Sequence, residues 1–91
     1  MKFEWHENKR LINARDHGID FQDAMAIFEG DTVTVEDDRF DYGERRFMTL
    51  GLLKGNVIAV IHTEEELVMR LISARKATKY EQKTFFEQIA Y

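Results

Sequence analysis

The sequence predicts an α+β domain, with an antiparallel β-sheet of about four strands, two helices ahead of it and one behind. Two observations carry this. Apolar residues recur at helical spacing near both ends and at strand spacing through the middle, so helices and strands fall in separate blocks. The strand-like runs between residues 32 and 74 are joined by short turns, which suit an antiparallel meander rather than crossovers, with the helices packed on one face. A third observation bounds the answer: 91 residues, with 44% hydrophobic content and seven Phe, make one domain, 1–91. Such a chain buries about 60–65% of its unfolded surface.

The elements follow in order. Met1 to Trp5 reads as a short edge strand. Residues 7–17 read as a first helix, with Leu11, Ile12 and Ala14 as its apolar stripe and Gly18 at the left-handed position that ends it. Asp20 is an N-cap for a second helix whose buried face is Phe21, Ala24, Met25, Ile27 and Phe28, ending at Gly30. Thr32 to Val35 is a β-branched strand, followed by an acidic loop over residues 36–44. Residues 45–53 alternate as a strand, and Lys54-Gly55-Asn56 offers a tight hairpin turn. Val57 to His62 is apolar on both faces, hence central. After the charged turn Glu64-Glu65-Glu66, Leu67 to Ala74 forms the last strand. Thr78-x-x-Glu81 is a capping box opening a final helix, with Tyr80, Phe85 and Ile89 facing inward. Tyr91 is left as an unanchored terminus.

Charge is distributed unevenly. Residues 70–83 hold Arg70, Arg75, Lys76, Lys79 and Lys83 against one acid, Glu81, whereas residues 1–69 hold eight Lys/Arg against fifteen Asp/Glu, a net of −7. A basic seam on an acidic domain points to a local anion site. The overall charge of −4 argues against non-specific binding to duplex DNA, which scales with phosphates neutralised. Without cysteine there is no disulfide framework and no thiolate metal site. No apolar run reaches the ~18 residues of a membrane helix and no signal-peptide pattern opens the chain, so the expectation is a soluble cytoplasmic protein.

Several separated motifs resemble one family. They are Phe3-Glu4-Trp5, Lys9 and Asn13, His17-Gly18-Ile19-x-Phe21, Ala24-x-x-x-Phe28, Gly43-Glu44-x-Arg46, Gly51, and Arg70-x-Ile72-Ser73-Ala74-Arg75-Lys76-Ala77. Across nearly its whole length the chain is similar to the BrnT toxins of bacterial type II toxin–antitoxin pairs. It departs from them at His6-Glu7, where the family usually has Asp, and at Asp16, where it usually has Lys. The resemblance implies a RelE-like fold and a metal-independent ribonuclease that halts translation, with no cofactor. It also implies neutralisation by a BrnA-like, DNA-binding antitoxin, with promoter DNA engaged only through the toxin–antitoxin complex. No membrane partner is expected.

Metal-free RNA cleavage needs a base for the 2′-oxygen, cations for the charge growing on the phosphoryl oxygens and an acid for the departing 5′-oxygen. Arginine suits the second role because its planar fork pairs with two phosphate oxygens. Arg75 and Lys76 are the leading candidates for phosphate contact; the alternative is a solvated cationic turn. Arg70, mid-strand among apolar residues, contacts phosphate or pairs with Glu44 to hold the sheet. Arg46 and Glu44 are either a structural pair or a clamp and a base. Simple alternation puts Arg70, Ile72 and Ala74 on one face of the last strand and Met69, Leu71, Ser73 and Arg75 on the other. Ser73 and Lys79 join the candidate RNA contacts. Tyr80 either stacks a base, donates a proton or packs in the core. His17 is the histidine placed for proton transfer, or else a favourable charge at a helix C-terminus. His62 reads as a packed residue. The three histidines lack i,i+4 spacing, so no metal site is expected.

Overall fold

A computed structural model describes residues 1–89, so Tyr91 lies outside the described residues. The elements are β1 (Lys2–Glu4), α1 (Glu7–His17), α2 (Phe21–Ala24), which runs on as a 3₁₀ turn over Met25–Glu29, β2 (Val33–Asp37), β3 (Arg46–Leu53), β4 (Asn56–Glu65), β5 (Val68–Lys76) and α3 (Lys79–Ile89). The α+β class holds, but the sheet has five strands in the order β1-β5-β4-β3-β2 and is mixed. β2 to β5 form the expected antiparallel meander, with β4 at its centre, while β1 lies parallel to β5, Phe3 opposite Met69. That pairing joins residues more than sixty apart, and nothing local in the sequence encodes it.

Several local signals act as the sequence predicts. Gly18 takes φ 71° and donates its N–H to Ala14 O, a left-handed ending that a side chain would strain. Asp20 accepts from the Gln22 N–H. Lys54 and Gly55, both at positive φ, turn β3 into β4 in two residues. Thr78 Oγ1 accepts from the Glu81 N–H while Glu81 Oε1 accepts from the Thr78 N–H, closing the capping box.

Helices cover both sheet faces, not one. On the first face, Ile19, Phe21, Ala24 and Ile27 pack on Ile58, Val60, Met69, Leu71 and Ala74. Backbone approach is so close there that a Cβ on Gly51 would stand 2.7 Å from Ile27 Cβ. His62 is buried on this face, between Phe28 and Phe47. It is part of a chain in which Thr34 Oγ1, Thr49 Oγ1 and His62 Nε2 are linked at 2.7 Å each. Burial pushes its pKa down, so it sits neutral. On the opposite face, α3 places Phe85 over Val33, Leu50, Val57 and Ala59. α3 covers only part of that face.

The helix α1 corrects two expectations. Leu11 and Ile12 are exposed, and Asn13 is the buried residue. Its amide donates to Ile19 O and Ala74 O, and its Oδ1 accepts from the Ala74 N–H at 3.1 Å. The helix is therefore seated by a polar side chain that satisfies main-chain groups of β5, not by a greasy stripe.

The alternation of β5 is also corrected. Ile61 pairs with Ser73 but His62 pairs with Leu71, so Ile72 has no partner opposite. This is a β-bulge, and it shifts the phase of every later side chain. Arg70, Ser73 and Arg75 stand opposite Thr63, Ile61 and Ala59, all on the face that α3 partly covers. Met69, Leu71 and Ala74 all point to the other core.

Candidate functional site

The open part of the α3 face collects the charged groups. β3 supplies Arg46 and Met48, and β5 supplies Arg70, Ser73 and Arg75. The acidic segment between β2 and β3 folds back over the same face. Asp37, nearly buried, anchors it by accepting from Arg39 Nε at 2.8 Å and from the Tyr42 hydroxyl at 3.3 Å. The Tyr42 ring lies under the Arg46 guanidinium, 4.0 Å from centroid to Cζ.

Glu44 is the hub at one end. It accepts from Arg70 Nη2 at 2.6 and 2.9 Å and from Arg46 Nε at 3.2 Å. Arg70, then Arg46, hold its carboxyl below the ordinary range, so it is ionised at neutral pH. Arg75 forms the other end. Its two Nη atoms donate to the two oxygens of Glu81 at 2.8 and 3.0 Å, and Nη2 lies 3.9 Å from Met48 Sδ. Arg75 pushes the Glu81 carboxyl down to about 2, helped by the Thr78 N–H. Glu81 thus caps α3 and fixes Arg75 at once. Between Arg75, Arg39, Asp37 and Met48 lies a cleft of about 200 Å³.

The expected site residues divide accordingly. Arg46, Glu44, Arg70, Ser73 and Arg75 share one face. Tyr80 and Lys79 stand exposed on the first turn of α3, so the expectation that Tyr80 packs inward is corrected. Lys76 lies opposite Ile58, out of phase with Arg75, and lines a separate hollow with Asn56 and Phe86. His17 is exposed at the end of α1, which packs on β5 and α2, and among the described residues it shares no hydrogen bond or ion pair with Arg46, Arg70 or Arg75. Among the described residues no three His, Asp or Glu side chains converge as metal ligands.

What this face can do is grip an oxyanion. Three guanidinium groups share it, Arg46 and Arg70 at one end and Arg75 at the other, each held by a carboxylate that a phosphate could replace. A family model described as the ribonuclease toxin, BrnT, of type II toxin–antitoxin systems matches residues 5–81. The chain belongs to the BrnT family. The match runs from Trp5, just after β1, through β2 to β5 and stops in the first turn of α3, at the carboxylate that holds Arg75. Membership carries a toxin role with ribonuclease activity, an RNA target and an antitoxin partner. No curated protein matches the chain significantly. No helix among the described residues is long and apolar enough to cross a membrane.

For this BrnT chain, sequence reasoning missed three residues that shape the site. Tyr42 supports Arg46, Asp37 anchors the segment carrying Tyr42, and Met48 backs Arg75. The signal that could have found Met48 is its place two residues from Arg46 on an alternating strand. Glu81 was legible only as a cap, because its second bond depends on the bulge that turns Arg75 toward α3.

Proposed function

We propose that this chain is a metal-independent endoribonuclease that halts translation, with the phosphate at the scissile bond gripped by Arg46, Arg70 and Arg75. The observation that carries this is their placement on one sheet face, to which the bulge at Ile72 brings Arg75 alongside Arg70. In this mechanism a backbone phosphate displaces Glu44 from Arg70 and Arg46. Freed from both cations, the Glu44 carboxylate regains its ordinary basicity and accepts the 2′-hydroxyl proton. The 2′-oxygen attacks phosphorus, the arginines stabilise the charge on the phosphoryl oxygens, and the 5′-oxygen leaves with a proton from water. Ser73, Lys76, Lys79 and Tyr80 hold flanking RNA. His17, apart from the arginines, favours the helix-end role over proton transfer.

The partner in this reading is a BrnA-like, DNA-binding antitoxin in the cytoplasm, and promoter DNA is met only through that complex. The test is cleavage of RNA by the purified chain in EDTA. Arg75→Ala should lose at least about 100-fold in rate while keeping its circular dichroism spectrum. Undiminished cleavage by that variant rejects the site.

A second reading is a weak or inactive toxin that serves mainly as antitoxin partner and co-repressor. It is favoured by the pairing of Arg46, Arg70 and Arg75 with carboxylates of their own chain. It expects intact RNA in the same assay and promoter binding only when both proteins are present.

A further inference from the structure

The arginine cleft does not end at Met48. A second groove, about 190 Å³ and mostly apolar, opens beside it between β2, β3 and α3. Its walls are Val33, Val35, Met48 and Leu50, with Tyr80 and Thr84 along the helix. Val35, Met48 and Glu81 line both hollows, so the two are continuous. The volume is about six times the ~30 Å³ share of a liquid water, room for a flat heterocycle. Tyr80 is 79% exposed and makes no hydrogen bond among the described residues, so its ring is available at the rim.

We propose that this groove is a nucleobase subsite for a base adjoining the phosphate held by Arg75, an inference that rests on the ribonuclease reading above. The base stacks against Tyr80 and lies over Met48 and Val35, a contact any base face can make. Glu81 gives it a preference. Oε1 accepts from both Arg75 and the Thr78 N–H, whereas Oε2 accepts only from Arg75 and keeps a free acceptor position. An amino group fits that position and a carbonyl does not. Adenine, guanine and cytosine carry an exocyclic amino group; uracil offers only its N3–H, set between two carbonyls that the carboxylate repels. A hollow of about 740 Å³ on the other face has no Lys, Arg or His in its lining, and nothing there points to an RNA ligand.

The test is methyl NMR on the full chain, reading Val33, Val35 and Leu50 during titration with nucleoside 5′-monophosphates, ribose 5-phosphate and inorganic phosphate. AMP, GMP and CMP should shift these methyls in a saturable way, UMP at least about threefold more weakly, and the two base-free phosphates not at all. Val35→Trp, at a half-exposed position, should abolish the response and raise the KM for RNA about tenfold with little change in kcat. Base-independent shifts, equal response to UMP, or wild-type KM in Val35→Trp each overturn the subsite. So do methyls that respond only to protein concentration or to added antitoxin, which would assign the groove to a second copy or to the partner. If the chain leaves RNA intact yet AMP shifts the groove methyls, the ribonuclease reading fails and the subsite stands.

Discussion

On one face of the sheet Phe21, Val60 and Leu71 lie wholly buried, whereas on the other the side chains of Arg46, Arg70 and Arg75 keep 23–31% of their surface in water. The first face is dry and held by apolar packing, which is close-packed and intolerant of lost or added volume. The second has its own apolar core under Phe85, but its open part is held by ion pairs at a wet surface, which contribute little to stability and are readily exchanged. In the function proposed above, the anion site thus lies apart from the larger dry core, on the open part of the opposite face. Substitutions on the first face should change folding, and those on the second should change chemistry.

The sharpest test of that division is insertion of one Ala between Ser73 and Ala74. The added residue reverses the faces of all that follows it in β5, so Ala74 leaves the core and Arg75 turns away from Glu81. Loss of RNA cleavage and a fall in Tm of more than about 15 °C are expected by calorimetry. Wild-type melting and cleavage would show that the register of β5 does not align the arginines. Phe21→Ala comes next, costing about 3–5 kcal/mol in urea unfolding while the folded fraction cleaves RNA normally. Gly51→Ala should cost about 1–3 kcal/mol, since the new methyl meets Ile27 with no room to yield.

Acid probes the wet face. The folded carboxyl of Glu81 titrates at about 2 against an ordinary 4.5. Its stabilisation is therefore fully present above pH ~4.5 and lost as pH falls toward 2, up to about 2 kcal/mol after solvent screening. Glu81→Gln should lack that share of the acid dependence of the urea midpoint, and an unchanged pH profile would sink the assignment. His62 adds to the loss with the same sign. Its neutral form is favoured in the fold, so stability falls as pH drops below 6.5. The smallest effect on folding belongs to Arg70→Ala. Its Tm should stay within about 3 °C of wild type, while RNA cleavage falls at least about tenfold.

Much of this could be read from the residues, because the signals are local. Gly18, Lys54-Gly55 and Thr78-x-x-Glu81 end, turn and start elements through atoms a few positions away. The pairing of Arg70 with Glu44 was legible as one of two alternatives, since both follow from strand alternation. The rest depends on distant partners. β1 finds β5 across most of the chain, and Asn13 is buried only because Ala74 comes to meet it. The bulge at Ile72 has no glycine or other marker, yet it decides which face Arg75 occupies. A single unpaired residue separates the face that simple alternation gives Arg75 from the face it occupies.

The contact of Asn13 with Ala74 has one further consequence. β1 occupies the outer flank of β5 only along Val68–Arg70, and the Asn13 amide takes the main-chain donor and acceptor a little farther on, as a neighbouring strand would. That stretch of β5 is therefore closed to β-augmentation, and the three residues of β1 leave only a short edge on this side. β2 ends the sheet on the opposite side with no neighbour among the described residues. The five residues Val33–Asp37 are thus the longer template for a chain that extends the sheet by backbone pairing, beside the acidic segment that bears Tyr42 and Glu44.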